Sequence, residues 1–265
     1  MAELRTIYIL GATALLTSSA CGDPVEAPRV ELPVIVDSSG VVPVTTDLGY
    51  SVEVTEARVA ISDLVFTVAG EADVASLWRR LSDALVPRAW AHPGHFSGGE
   101  VTGELRGDFL VDWGTGNNPE LGRATLIAGT YTAANFIFDR GSSGSLDASD
   151  VLVGRTAVFS GTAQKDGQTF NFTIVVESPE GRVLIGVPFE ASVGEAAAGT
   201  LRLRLETQDP FESDTLFDGL DFASLDGDGD GQVRVEPGSA EVEDAYNAFR
   251  REFQTHDYYT VRHEE

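Results

Sequence analysis

Leu201, Leu203 and Leu205 alternate with Arg202, Arg204 and Glu206. A period of two places alternate side chains on opposite faces of a strand and cannot give a helix one buried stripe. The pattern recurs at Tyr50, Val52 and Val54, at Phe109, Val111 and Trp113, and at Phe170, Phe172, Ile174 and Val176. Further strands are expected at residues 30–36, 124–127, 131–138, 156–163 and 169–176. The tripeptide Lys165-Asp166-Gly167 offers a hairpin turn, because Asp-Gly accepts positive φ at both central positions. After Val59 and Ile61 the apolar phase slips to Leu64, Phe66 and Val68. A one-residue slip within a strand predicts a β-bulge around Ser62 and Asp63.

Two segments change to helical spacing. Val74, Leu77, Trp78, Leu81 and Leu85 form one stripe, with Asp73 placed to cap it and Pro87 to end it. Val242, Tyr246, Phe249 and Phe253 form the other, with Ser239 as the expected cap. Many strands, Gly-rich turns and few helices predict a mainly β fold, an antiparallel β-sandwich with two short peripheral helices.

The N-terminus speaks to location. An uncharged stretch at residues 6–20 follows Glu3 and Arg5. It is shorter than the about 20 apolar residues that span a bilayer and suits the apolar region of a secretory signal. Next comes Ser18-Ser19-Ala20-Cys21-Gly22-Asp23, and Cys21 is the chain's one cysteine. Small residues before a cysteine resemble the bacterial lipobox, although that family usually has Leu where Ser18 stands. The resemblance implies that Cys21 receives a diacylglycerol thioether and becomes the new N-terminus. An ordinary signal cut near Ala20 is the alternative. The expected division is a signal peptide at 1–20, a lipidated N-terminus and linker at 21–48, and one β-sandwich domain at 49–265. A lipid-anchored protein of the cell envelope follows, periplasmic or surface-exposed, held to the outer or inner membrane by its N-terminal lipid.

A formal net charge of −24 makes nucleic acid an unsuitable partner and favours cations. Acidity also keeps exported proteins soluble, so charge alone defines no site. The acidic run Asp226-Gly227-Asp228-Gly229-Asp230-Gly231-Gln232-Val233 is sharper. Calcium takes six to eight oxygen ligands, and aspartates at alternate positions converge on one ion when glycines let the backbone curl. Over these eight positions the run resembles the calcium loop of EF-hand and dockerin modules. It departs at the twelfth position, Pro237, where the family has a bidentate acid. The expected site is Asp226, Asp228, Asp230, the Gln232 carbonyl, and Glu236 or Glu241. Residues 233–235 read as a strand where an EF-hand would begin a helix. A solvated acidic turn is the plain alternative.

The four histidines are His92, His95, His256 and His263. Two imidazoles flanking Pro93-Gly94 can meet at one transition-metal ion. The Trp90-Ala91-His92 spacing is similar to that in methanotroph copper-binding surface proteins, where two histidines and a tryptophan oxidised to kynurenine hold copper. That resemblance implies a copper or zinc site of Trp90, His92 and His95 or His256. His263 falls in what reads as a frayed tail. A polar loop with Trp90 packed on the sheet is the competing interpretation.

Motifs for nucleotide binding, serine hydrolysis and zinc proteolysis are absent from the sequence. The sequence therefore reads as an exported, lipid-anchored, metal-binding protein rather than an enzyme, with calcium structural and copper or zinc additional. Two other classes remain open. One is a calcium-stiffened adhesion or assembly module that binds a protein or glycan, for which an exposed aromatic patch including Tyr258 and Tyr259 would speak. The other is a hydrolase built on two of the 42 acidic residues.

Overall fold

A computed structural model describes residues 28–68 and 100–265. The chain is mainly β, with twelve strands among these residues. They are β1 (Arg29–Asp37), β2 (Val44–Thr45), β3 (Ser51–Val68), β4 (Glu100–Asp112), β5 (Glu120–Ile127), β6 (Gly129–Phe138), β7 (Ala157–Lys165) and β8 (Gln168–Val176). The others are β9 (Val183–Val193), β10 (Thr200–Leu205), β11 (Gln232–Val235) and β12 (Tyr259–Glu264). One helical turn, α1 (Phe222–Leu225), precedes β11, and a three-turn helix, α2 (Glu243–Phe253), follows it.

The main hydrogen-bonded path runs β11-β8-β7-β3-β4-β5-β1-β10-β12, with β6 and β9 branching from β3. β3 makes the branch possible. On one flank it pairs with β7 over Ser51 to Val59, then with β6 from Ile61 to Val68. The changeover coincides with the expected bulge: the register shifts between Ser62 and Leu64, and Asp63 has φ 49°. An extra residue at that point bends the strand and re-aims the following residues. The β7–β8 hairpin also matches the expectation. Lys165 pairs with Gln168 across a two-residue turn whose Asp166 and Gly167 have φ 50° and 80°.

The sheet is mixed rather than purely antiparallel. β1 runs parallel to β10, and β11 runs parallel to β8. Parallel neighbours need a long crossover, and the alternation of a strand carries no record of its partner's direction. The turn at residues 128–130 joins β5 and β6, but these strands do not pair; β5 lies between β1 and β4 and β6 lies between β3 and β9. The span 21–48, expected as a linker, contains β1, whose Leu32, Val34 and Val36 are buried. Among the described residues the sheet thus begins at Arg29, well before residue 49.

Side chains from distant strands meet in one core. Phe136 of β6 lies edge-on to Tyr259 of β12, with ring centres 5.4 Å apart. The Trp113 indole donates to the Leu203 carbonyl of β10 at 3.1 Å. α2 lays Phe249 against Phe159 at 5.2 Å and Phe253 against Phe138 at 4.9 Å. Its expected buried stripe is therefore in place, but Ser239 is not its cap. Val242 occupies that position and makes no side-chain capping bond. The expected helix around residues 74–85 lies outside the described residues.

Candidate metal centre

The acidic loop is held from both sides. On its N-terminal side, Asp221 caps α1 and accepts from the Ser224 hydroxyl at 2.7 Å and the Tyr50 hydroxyl at 2.5 Å. The Tyr50 oxygen in turn accepts from Ala223 N–H at 3.0 Å. The Tyr50 hydrogen bond is the largest influence holding the Asp221 carboxyl below its ordinary pKa, with the Ser224 hydroxyl next. Burial raises the Tyr50 phenol. Phe222 drives the turn into the core, fully buried against Tyr50 and Phe172 at 5.2 and 5.4 Å. On the C-terminal side β11 is stitched to β8, beginning with Asn171 N–H donating to the Gly231 carbonyl at 2.8 Å.

Between these anchors the backbone curls through Gly229 and Gly231, at φ 74° and 76°. Non-glycine residues rarely adopt that conformation. Asp226 turns inward and accepts from Asp230 N–H at 3.1 Å and Gly231 N–H at 3.0 Å. Asp230 accepts from Gln232 N–H at 2.7 Å. One carboxylate oxygen from each of Asp226, Asp228 and Asp230 lies within 4.8 Å of the other two. Oxygens bound to one calcium at roughly 2.3–2.6 Å can be up to about 5 Å apart. The spacing therefore allows a single ion to be shared, and an all-oxygen donor set suits a hard cation.

The fourth carboxylate behaves differently from the expectation. Glu236 is engaged by Arg234, with Nε and a terminal nitrogen at 3.0 and 2.9 Å from the same oxygen. It does not belong to the converging group, and neither does Glu241. The Tyr50–Asp221 brace was not anticipated. Its partners are 171 residues apart, a separation that leaves no local pattern.

The histidine expectation divides. Trp90, His92 and His95 lie outside the described residues, as does Cys21. His256 opens the 3-10 turn that leads into β12, with Nε2 3.4 Å from Asp257 Oδ1. His263 is not in a frayed tail. β12 pairs along β10, placing His263 opposite Leu201, and its Nε2 lies 2.8 Å from the Ala198 carbonyl. Tyr258 and Tyr259 form no exposed patch, being 3% and 0% accessible. Burial raises both phenols, and the Tyr259 hydroxyl donates to the Phe253 carbonyl at 3.0 Å. Among the described residues no helix is long and apolar enough to cross a membrane.

No family model, no curated protein and no solved structure matches this chain.

Proposed function

We propose that this chain is an exported, lipid-anchored, calcium-binding protein of the cell envelope, non-enzymatic, with a β-sandwich body. The observation that carries the metal reading is the convergence of Asp226, Asp228 and Asp230 within 4.8 Å on a loop anchored at both ends. Three like charges this close repel one another, and a divalent cation converts the repulsion into attraction. The Gln232 carbonyl and waters complete the calcium shell. Glu236 joins it only by leaving Arg234. The ion's role is structural: it ties α1 to β11 and so fixes the segment that leads into α2. The sandwich reading rests on contacts between strands far apart on the hydrogen-bonded path, Phe136 to Tyr259 and Trp113 to Leu203. Export and lipidation rest on the uncharged stretch before Cys21.

The test is elemental analysis and intact mass of the protein purified from its native envelope without chelators. Near-stoichiometric calcium, lost in Asp228→Asn, supports the metal reading. A polypeptide beginning at Cys21 and heavier by a diacylglycerol group supports the anchor. Absence of calcium, or an unmodified Cys21, overturns the corresponding half.

A further inference from the structure

A second site carries the opposite charge. Arg182, from the turn before β9, lines an open cleft of about 440 Å³ with Asn247, Arg250, Arg251, Gln254 and Thr255 from the end of α2. Ligand pockets typically occupy roughly 300–1,000 Å³. Three arginines gathered in one cleft are unexpected in a chain with formal net charge −24.

Two of the three arginines have no carboxylate partner among the described residues. Arg251 has its Nε 3.1 Å from Glu252. Among the described residues the Arg250 guanidinium meets the Asn247 side-chain oxygen, at 3.3 Å, and the Tyr246 ring, 5.5 Å from its centre. Neither Arg182 nor Arg250 forms an ion pair among the described residues. The Nε of Arg182 is shielded from solvent and has no hydrogen-bond partner. That nitrogen is closed to the cleft as well as to solvent, so the terminal guanidinium nitrogens are the donors left for a ligand.

Basic residues at a helix C-terminus often serve the exposed carbonyls there. Here the chain already satisfies them. Gln254 N–H reaches the carbonyls of Arg250 and Arg251, Thr255 reaches that of Glu252, and the Tyr259 hydroxyl reaches that of Phe253. The cleft is also held rigid. The Tyr246 hydroxyl bonds both backbone groups of Glu177 at 3.1 Å, and the Gln254 amide donates to Ser178 at 2.8 Å.

The geometry points to a binding site for a phosphate monoester group, with Arg182 and Arg250 as its principal contacts. Two guanidinium charges without carboxylate partners match a phosphate monoester, which carries about −1.5 to −2 at neutral pH. The planar donor fork binds such oxygens in pairs. Asn247, whose side-chain oxygen accepts from Arg250, leaves its amide N–H groups as neutral donors in the lining. The cleft volume leaves room for the small group that bears the phosphate.

The test is calorimetric titration of the purified full chain, in calcium-free buffer, with glycerol 3-phosphate and inorganic phosphate. Sedimentation with phosphatidic acid vesicles distinguishes a lipid headgroup from a diffusible ester. Saturable binding by either source should weaken at least tenfold in Arg182→Gln and in Arg250→Gln. It should be unchanged in Arg106→Gln, whose arginine pairs with Glu104 and Asp63 elsewhere. Circular dichroism establishes that each variant is folded. Absence of saturable binding to all three probes overturns the site, as does equal affinity in folded Arg182→Gln.

Discussion

Two turns rich in Asp and Gly meet strand β8, and they are built on different principles. The Asp166-Gly167 turn closes the β7–β8 hairpin with two residues of positive φ, and the ladder on either side holds it. The loop 226–231 has no hairpin to close, since its strand β11 runs parallel to β8. It curls by spending its own carboxylates on its own N–H groups, and so brings three acids together. The first turn is complete as a piece of backbone. The second concentrates negative charge, and that difference is what makes it the place where a cation could be held.

Four measurements bear on this contrast. The largest effect is expected where the loop is rooted in the core. Phe222→Ala should destabilise the protein by about 3–5 kcal/mol, as buried Phe to Ala changes do. Urea denaturation checks it, and a loss below 1 kcal/mol would show that α1 does not depend on this anchor. Next is the ion. Calcium at a hundred times its Kd should add about 2.7 kcal/mol to stability. Thermal unfolding with and without chelator reads this, and Asp228→Asn should abolish the difference while Asp166→Asn leaves it intact. Third, Gly231→Ala and Gly167→Ala should each cost about 1–2 kcal/mol, because both positions have positive φ. Calcium affinity should fall only for Gly231→Ala, and an equal fall in both would erase the distinction between the turns.

The smallest effect concerns pH. The Asp221 carboxyl is held below its ordinary pKa, chiefly by the Tyr50 hydroxyl. A depressed carboxyl contributes stability above the unfolded value, about 3.9 for Asp, and loses it as pH falls through the folded value. Without calcium, and with solvent screening of an exposed carboxylate allowed for, Asp221→Asn should therefore lose under about 1 kcal/mol at neutral pH, a loss that shrinks as pH falls through the folded value, since the cap itself is retained. Urea denaturation over a series of falling pH values decides this; a loss that does not change with pH would show that the Tyr50–Asp221 bond does not stabilise the carboxylate.

The same contrast explains what the sequence disclosed. The hairpin, the bulge at Asp63 and the aspartate run are local: each is written in consecutive residues and in a slip or period of the apolar pattern. The β1–β10 and β8–β11 pairings are not local. Val34 meets Leu201 and Val233 meets Phe172 across long intervening chain, and alternation is blind to strand direction. β12 was missed although Tyr259 and Val261 alternate with polar neighbours, because its position at the end of the chain suggested fraying. Val242 at the α2 cap offers no side-chain acceptor, so only the acidic Glu243 and Asp244 of the first turn mark that helix start in the sequence. The arginine cleft joins Arg182 to residues nearly 70 positions later, and only the adjacent Arg250 and Arg251 were visible as a pair.

The most direct test of the central claim is a calorimetric titration of chelator-treated full chain with calcium, beside Asp226→Asn and Asp228→Asn. One saturable site is expected in the parent chain, with at least a tenfold loss of affinity in each variant. A parent chain that takes up no calcium, or variants that bind it as well as the parent, would contradict it.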